Sequence, residues 1–299
     1  MNLLRLRLFL SCLALFVGVG RASGESARSV VPMTLTQTDY GGGRIYLPVR
    51  FGNFLGAMRL DTGASTTRVA RAAWNEGLPS LGESVSTGAS GRSVRCEDVE
   101  ATLVALKAAQ GPDIARAKHV VSRCAESDGD DLLGLSFFKG ARFTLGFRRR
   151  EMAFFGDAAP ARRKAFRQLG AEQRLVGVDL RVGKETVAGL FDTGAEICAV
   201  DAGFVAKHPN LFTLVKSKGK ASEAGGGEFA HRIYKIKEID LGEGRKAHDV
   251  FAISYDFGVL RAVLGPGTPF ILGYNLISRF DWDLDFTAPG APSWDARAK

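Results

Sequence analysis

Two aspartates in this chain sit in identical surroundings. Asp61 opens Asp61-Thr62-Gly63-Ala64, Asp192 opens Asp192-Thr193-Gly194-Ala195, and the two acids are 131 positions apart. A lone Asp-Thr-Gly is an ordinary turn, since Asp and Gly are common turn residues. Two copies at matched places can set one carboxyl against the other. Carboxyls that close share a proton, because two like charges cannot both ionise there without cost. The ionised member is then a base for a bound water, and the protonated member donates to a carbonyl. This chemistry needs no metal, no cofactor and no covalent intermediate. Each glycine lets the backbone turn sharply behind its carboxylate, and each threonine hydroxyl is suited to bonding across a pseudo-twofold axis.

Matching elements precede and follow both copies. The stretch from Arg44 to Asn53 alternates like a strand entering a turn, and Gly56 to Leu60 leads into Asp61. In the second half, Leu175 to Lys184 is a strand and turn, and Thr186 to Phe191 leads into Asp192. Both read as hairpins that deliver an acid at a strand end. Further on, LLGLSFFKGARFTLGF (Leu132 to Phe147) aligns without a gap with ILGYNLISRFDWDLDF (Ile271 to Phe286). Leu133-Gly134 matches Leu272-Gly273, Phe143 matches Trp282, and Leu145 matches Leu284. A short helix is expected after each glycine, then an alternating strand. A period this long is not a solenoid and points to a duplicated domain. The expected divisions are an N-terminal segment 25–43, a first lobe 44–155, a linker 156–173 with room for a helical turn, a second lobe 174–287, and a loose tail 288–299.

On these residues the chain resembles the aspartic proteases of the pepsin and retropepsin type, most of all bacterial retropepsin-like proteins with two copies fused. The resemblance rests on the two Asp-Thr-Gly-Ala segments and on Leu132-Leu133-Gly134 and Ile271-Leu272-Gly273, and it covers both halves. It implies a mainly β, bilobal fold: two related closed β lobes with short helices and a cleft between them. It places Asp61 and Asp192 on the cleft floor as the catalytic pair. Thr62, Gly63, Ala64, Thr193, Gly194, Ala195, Leu133, Gly134, Leu272 and Gly273 support them. The implied activity is that of an aspartic-type endopeptidase, a hydrolase that directs water at a peptide bond and acts as a monomer on a peptide or protein. The alternative on the same fold is a non-catalytic protein that binds a peptide or an envelope component.

The sequence departs from the family pattern in three places. Ala64 and Ala195 stand where pepsins carry Ser or Thr. Without that hydroxyl the pair should keep its proton to higher pH, which predicts a weakly acidic to neutral working range. Glu196 stands where the first copy has Ser65, and it should face solvent or pair with a base. Hairpins that close over the cleft are expected at Val85–Val94, with Ser86, Thr87, Gly88, Ala89, Ser90 and Gly91 at its tip, and at Lys220–Phe229, around Ala224, Gly225 and Gly226. Both are glycine-rich and lack the Tyr of pepsin flaps.

The remaining composition narrows the setting. Apolar residues make up 45% and charged residues 24%, a globular balance. Residues 1–24 read as a cleaved signal peptide: Arg5 and Arg7, an apolar run from Leu8 to Val19, then Ala22-Ser23-Gly24. The product is expected to be exported, periplasmic or secreted, with no membrane association after cleavage. The formal net charge is +8. The basic runs Arg148-Arg149-Arg150 and Arg162-Arg163-Lys164 read as solvated surface, so no nucleic-acid partner is expected. Export allows disulfides, and Cys96 with Cys124, in the same half, is the expected pair. Cys198 is left over, six residues after Asp192, as a small buried residue. His119, His208, His231 and His248 are scattered and outline no metal site.

Overall fold

The structure, a computed structural model, describes residues 28–89, 91–125, 130–156, 163–170, 174–222 and 228–299. The expected signal peptide 1–24, Ser90, half of the 156–173 linker (157–162 and 171–173), and Ala224, Gly225 and Gly226 lie outside the described residues. The fold is mainly β and bilobal, of the aspartic-protease-like kind, and its described residues form three sheets.

In the first lobe, strand Gly43–Phe51 pairs antiparallel with Phe54–Asp61. Its burial alternates without a break, and Ile45, Leu47, Val49 and Phe51 all point inward. Each such side chain contributes about 2 kcal/mol of apolar burial. The second lobe repeats the unit with Leu175–Val182 antiparallel to Glu185–Phe191. A three-residue strand then inserts beside each acid-bearing strand: Leu132–Gly134 lies parallel to Phe54–Asp61, and Phe270–Leu272 lies parallel to Glu185–Phe191. The glycine that ends the first insertion and the one that follows the second are required by space. A Cβ on Gly134 would stand 2.1 Å from the Thr66 carbonyl oxygen, and one on Gly273 would stand 2.5 Å from the Ile197 carbonyl carbon. A short helical turn follows each glycine, at Leu135–Phe138 and Tyr274–Ile277, as the repeat predicts.

The third sheet joins the lobes. Its strand order is Ser29–Pro32, Glu151–Phe154, Arg142–Gly146, Phe280–Asp285, Ser293–Ala298 and Lys164–Ala165. At its centre, Phe143 pairs with Leu284, Thr144 with Asp283, and Leu145 with Trp282. These are the positions that match in the sequence repeat with their order reversed, so the pseudo-twofold axis passes between Thr144 and Asp283.

Three expectations change here. The tail is not loose: Ser293–Ala298 is a strand of the joining sheet, because Trp294 is 1% exposed and packs against Trp282 with ring centroids 5.5 Å apart. The described part of the linker forms the short strands Lys164–Ala165 and Arg167–Leu169 in place of a helical turn. The second basic run is not all solvated surface either. The Arg163 side chain is 6% exposed and pairs with Asp283 and Asp285, whereas Arg148, Arg149 and Arg150 are exposed.

Candidate functional site

Asp61 is the last residue of its strand, and Asp192 directly follows the equivalent one. The twofold relation brings the two loops together, and the threonines lock them. The Thr62 N–H donates to Thr193 Oγ1 at 3.1 Å, and the Thr193 N–H donates to Thr62 Oγ1 at 3.0 Å. The hydroxyls continue across the axis: Thr62 donates to the Phe191 carbonyl at 2.7 Å and Thr193 to the Leu60 carbonyl at 3.0 Å. Both threonines are buried, so each hydroxyl satisfies backbone groups that water cannot reach.

Each carboxyl lies over the other loop's glycine. A Cβ on Gly63 would stand 2.4 Å from Asp192 Cγ, and one on Gly194 would stand 2.3 Å from Asp61 Cγ. Only glycine permits this approach. Ala64 donates its N–H to Asp61 Oδ1 at 3.0 Å. Asp192 Oδ1 accepts two, from Gly194 at 2.8 Å and Ala195 at 3.2 Å. Burial, then the charge of Asp61, then a hydrogen bond with Asp61 hold the Asp192 carboxyl well above the ordinary range, to about 8; the Gly194 N–H and the Arg59 charge oppose the rise. The direction agrees with that expected from the absent hydroxyls at Ala64 and Ala195. Such a pair offers one proton and one negative charge side by side and can hold or polarise a hydroxyl, a carbonyl or a water.

A charged group from the first lobe flanks the second loop. Arg59 donates to the Gly194 carbonyl and lies 3.8 Å from Asp130 and 3.9 Å from Glu196. Arg44 pairs with Glu196 at 2.6 Å, and Tyr46 donates to Asp130 at 2.8 Å. Glu196 therefore pairs with bases, one of the two outcomes expected of it. Sequence reasoning missed Arg44, Arg59 and Asp130. The only signal was indirect: a glutamate beside two other acids requires a cation close by.

The first expected flap is a hairpin of Ser80–Thr87 and Ser93–Ala101. Ser86 and Thr87 end its first strand, and Gly88, Ala89 and Gly91 form the described part of its turn. The tip reaches the other lobe: a Cβ on Gly91 would stand 2.8 Å from Val259 Cγ2, on helix Gly258–Leu264. The next residue of that helix, Leu260, packs on the apolar cluster that also receives Ala195. Helix Gly258–Leu264 thus links the hairpin tip to the loop of Asp192. The second candidate flap belongs to the long hairpin of Phe212–Ser222 and Glu228–Asp240.

Cys96 and Cys124 face each other in paired strands and are joined by a disulfide. Cys198 is fully buried with its thiol pushed up to about 12 by burial, and its sulfur accepts the Gly273 N–H at 3.4 Å. It is part of the support under the site. Among the described residues, no group of three His, Cys, Asp or Glu side chains could hold a metal ion, and no helix is long and apolar enough to cross a membrane.

No family model matches the chain, and no curated protein matches it. Solved structures do. Basic 7S globulin from soybean superposes with a TM-score of 0.53 at 13% identity, covering 90% of this chain and 94% of the globulin. Conglutin gamma, a basic 7S globulin from lupine seeds, gives 0.53 at 11% identity, covering 90% and 95%. At such identity the likeness shows the fold. It also corrects the expected identification: these two structures are basic 7S globulins, and no family model and no curated protein supports a bacterial pepsin- or retropepsin-type protease. The reading as an aspartic-type endopeptidase, with its hydrolase and protease labels, is withdrawn on that finding.

Proposed function

We propose that the chain is an exported binding protein. It holds an extended peptide, or an envelope component with peptide-like polar groups, in the cleft between its lobes and does not turn it over. The observation that carries this reading is the Asp61–Asp192 pair in the cleft, with a hairpin whose tip reaches the opposite lobe. A shared proton beside a shared charge gives a ligand hydroxyl, carbonyl or N–H both a donor and an acceptor. The exposed side chains of Val85 on the hairpin and Val259 on the facing helix supply apolar surface for neighbouring side chains. The likeness to basic 7S globulins supports holding over turnover. The Cys96–Cys124 disulfide supports export to the periplasm or medium. Because one chain supplies both aspartates, a monomer suffices.

A mixed peptide library and a statine-containing peptide, whose hydroxyl suits the carboxyl pair, test the reading. The protein should retain library peptides intact by mass spectrometry. Calorimetry should show statine binding that weakens at least about tenfold in Asp61→Asn, the loss expected when one charge-assisted hydrogen bond is removed. Library cleavage that stops in Asp192→Asn would overturn the reading in favour of turnover. Retention of no peptide at all would overturn it as well.

A further inference from the structure

Most of the site obeys the twofold symmetry, but one part does not. Two residues before Asp61 stands Arg59; two residues before Asp192 stands Leu190, buried in an apolar cluster. Four residues after Asp61 stands Ser65; four after Asp192 stands Glu196. Both halves of one ion pair are therefore confined to one side of the axis. The pair acts on one loop only, since Arg59 donates to the Gly194 carbonyl. It is anchored from behind by Asp130 and Glu196, which Arg44 and Tyr46 hold in turn.

We propose that Arg59 is a positioning residue for the carboxyl pair: gripping the Gly194 carbonyl, it aims the Ala195 N–H at Asp192 and makes the two carboxyls inequivalent. The link is the planar peptide unit. The Gly194 carbonyl and the Ala195 N–H belong to one rigid plane and point in opposite directions. Fixing the oxygen from the first lobe fixes the N–H that lies 3.2 Å from Asp192 Oδ1. Asp192 Oδ1 accepts a second N–H from Gly194, whereas Asp61 Oδ1 receives the Ala64 N–H. A ligand thus meets a fixed polarity, with two backbone N–H groups turned on Asp192 and one on Asp61.

Among the described residues, the charged and titratable groups around the pair are few. Arg59 and Asp61 come from strand Phe54–Asp61, Arg44 and Tyr46 from Gly43–Phe51, Asp130 from the segment before Leu132, and Glu196 from the second loop. Asp131 is turned away onto the Ala70 N–H, and the Cys198 thiol stays neutral under Gly273. Arg59 is the cation that grips the loop itself, and its side chain is 11% exposed.

The inference deepens the reading of the cleft as a ligand site, but its test needs no ligand. Aspartate carboxyls labelled with carbon-13 are titrated by NMR, and the exchange of the Ala195 amide is followed, in Arg59→Lys, Arg59→Met and Glu196→Gln. Loss of both the cation and the grip in Arg59→Met should raise the upper titration step of the pair by about one pH unit. Arg59→Lys keeps the charge without the fork, so its titration should move less while Ala195 exchange speeds about tenfold, as it should in Glu196→Gln. Arg59→Lys that matches the parent in both readouts overturns the proposal. If Arg59→Met fails to fold, the other two variants decide. A failed ligand screen faults only the function reading, whereas unchanged Ala195 exchange faults this inference alone.

Discussion

Asp192 keeps its proton in the folded chain far more tightly than an ordinary aspartate would, because burial and the facing Asp61 disfavour its charge. In the unfolded chain it titrates near 4. The associated stability is complete below about pH 4 and drains away as pH rises towards about 8, since only the unfolded chain releases the proton freely in that window. Asparagine cannot ionise, yet its side-chain oxygen can still accept the Gly194 and Ala195 N–H groups. Relative to the parent, Asp192→Asn should gain stability between pH 4 and pH 9, by about 5 °C in melting temperature. Scanning calorimetry at the two pH values checks this, and parallel shifts would refute it. At this scale the acids, threonines and glycines were legible in the sequence because each is repeated. Arg59 was not. It occupies one position of an ordinary alternating strand, and its partner carbonyl lies 135 residues away.

The elements that place these residues are hairpins, and hairpins have local signatures. Alternation marked Gly43–Phe51 and Leu175–Val182. The Leu-Gly segments were legible as a repeat, but their role emerges only in space: each slides beside an acid-bearing strand where no Cβ fits. The hairpin over the cleft is held to its lobe by the disulfide, since Cys96 lies in its second strand and Cys124 in the neighbouring strand. The bond closes a loop with a sequence separation of 28 residues, and a loop of that size is worth about 3 kcal/mol. The double variant Cys96→Ala, Cys124→Ala should lose about that much in a urea titration. It should also show faster amide exchange along Ser80–Thr87 than along Gly43–Phe51. Equal acceleration in both strands would mean that the bond stabilises the lobe and not the hairpin.

Across the whole molecule, the joining sheet decides whether the two loops meet at all. Its aromatic centre, Trp282 and Trp294 with ring centroids 5.5 Å apart, packs against Phe191 of the second lobe, whose ring lies 4.8 Å from that of Trp282. Phe191 directly precedes Asp192, so packing in this sheet is transmitted to the site through one peptide bond. Trp294→Ala empties a fully buried position and should cost about 4 kcal/mol. Because the strand that carries Trp294 belongs to the sheet shared by both lobes, the loss should appear as one cooperative transition shifted to lower urea. Two separate transitions would show that the lobes unfold independently.

The sequence by itself determined the duplication, the strand–acid–glycine units and the two aspartates, because all three are local patterns written twice. It did not determine what the chain does with them. A repeat says that two acids occupy equivalent places, but not how far they are desolvated, which loop Arg59 grips, or that the last residues complete a sheet instead of trailing away. Those outcomes depend on side chains from distant segments competing for the same buried space, and only the tertiary structure settles that competition.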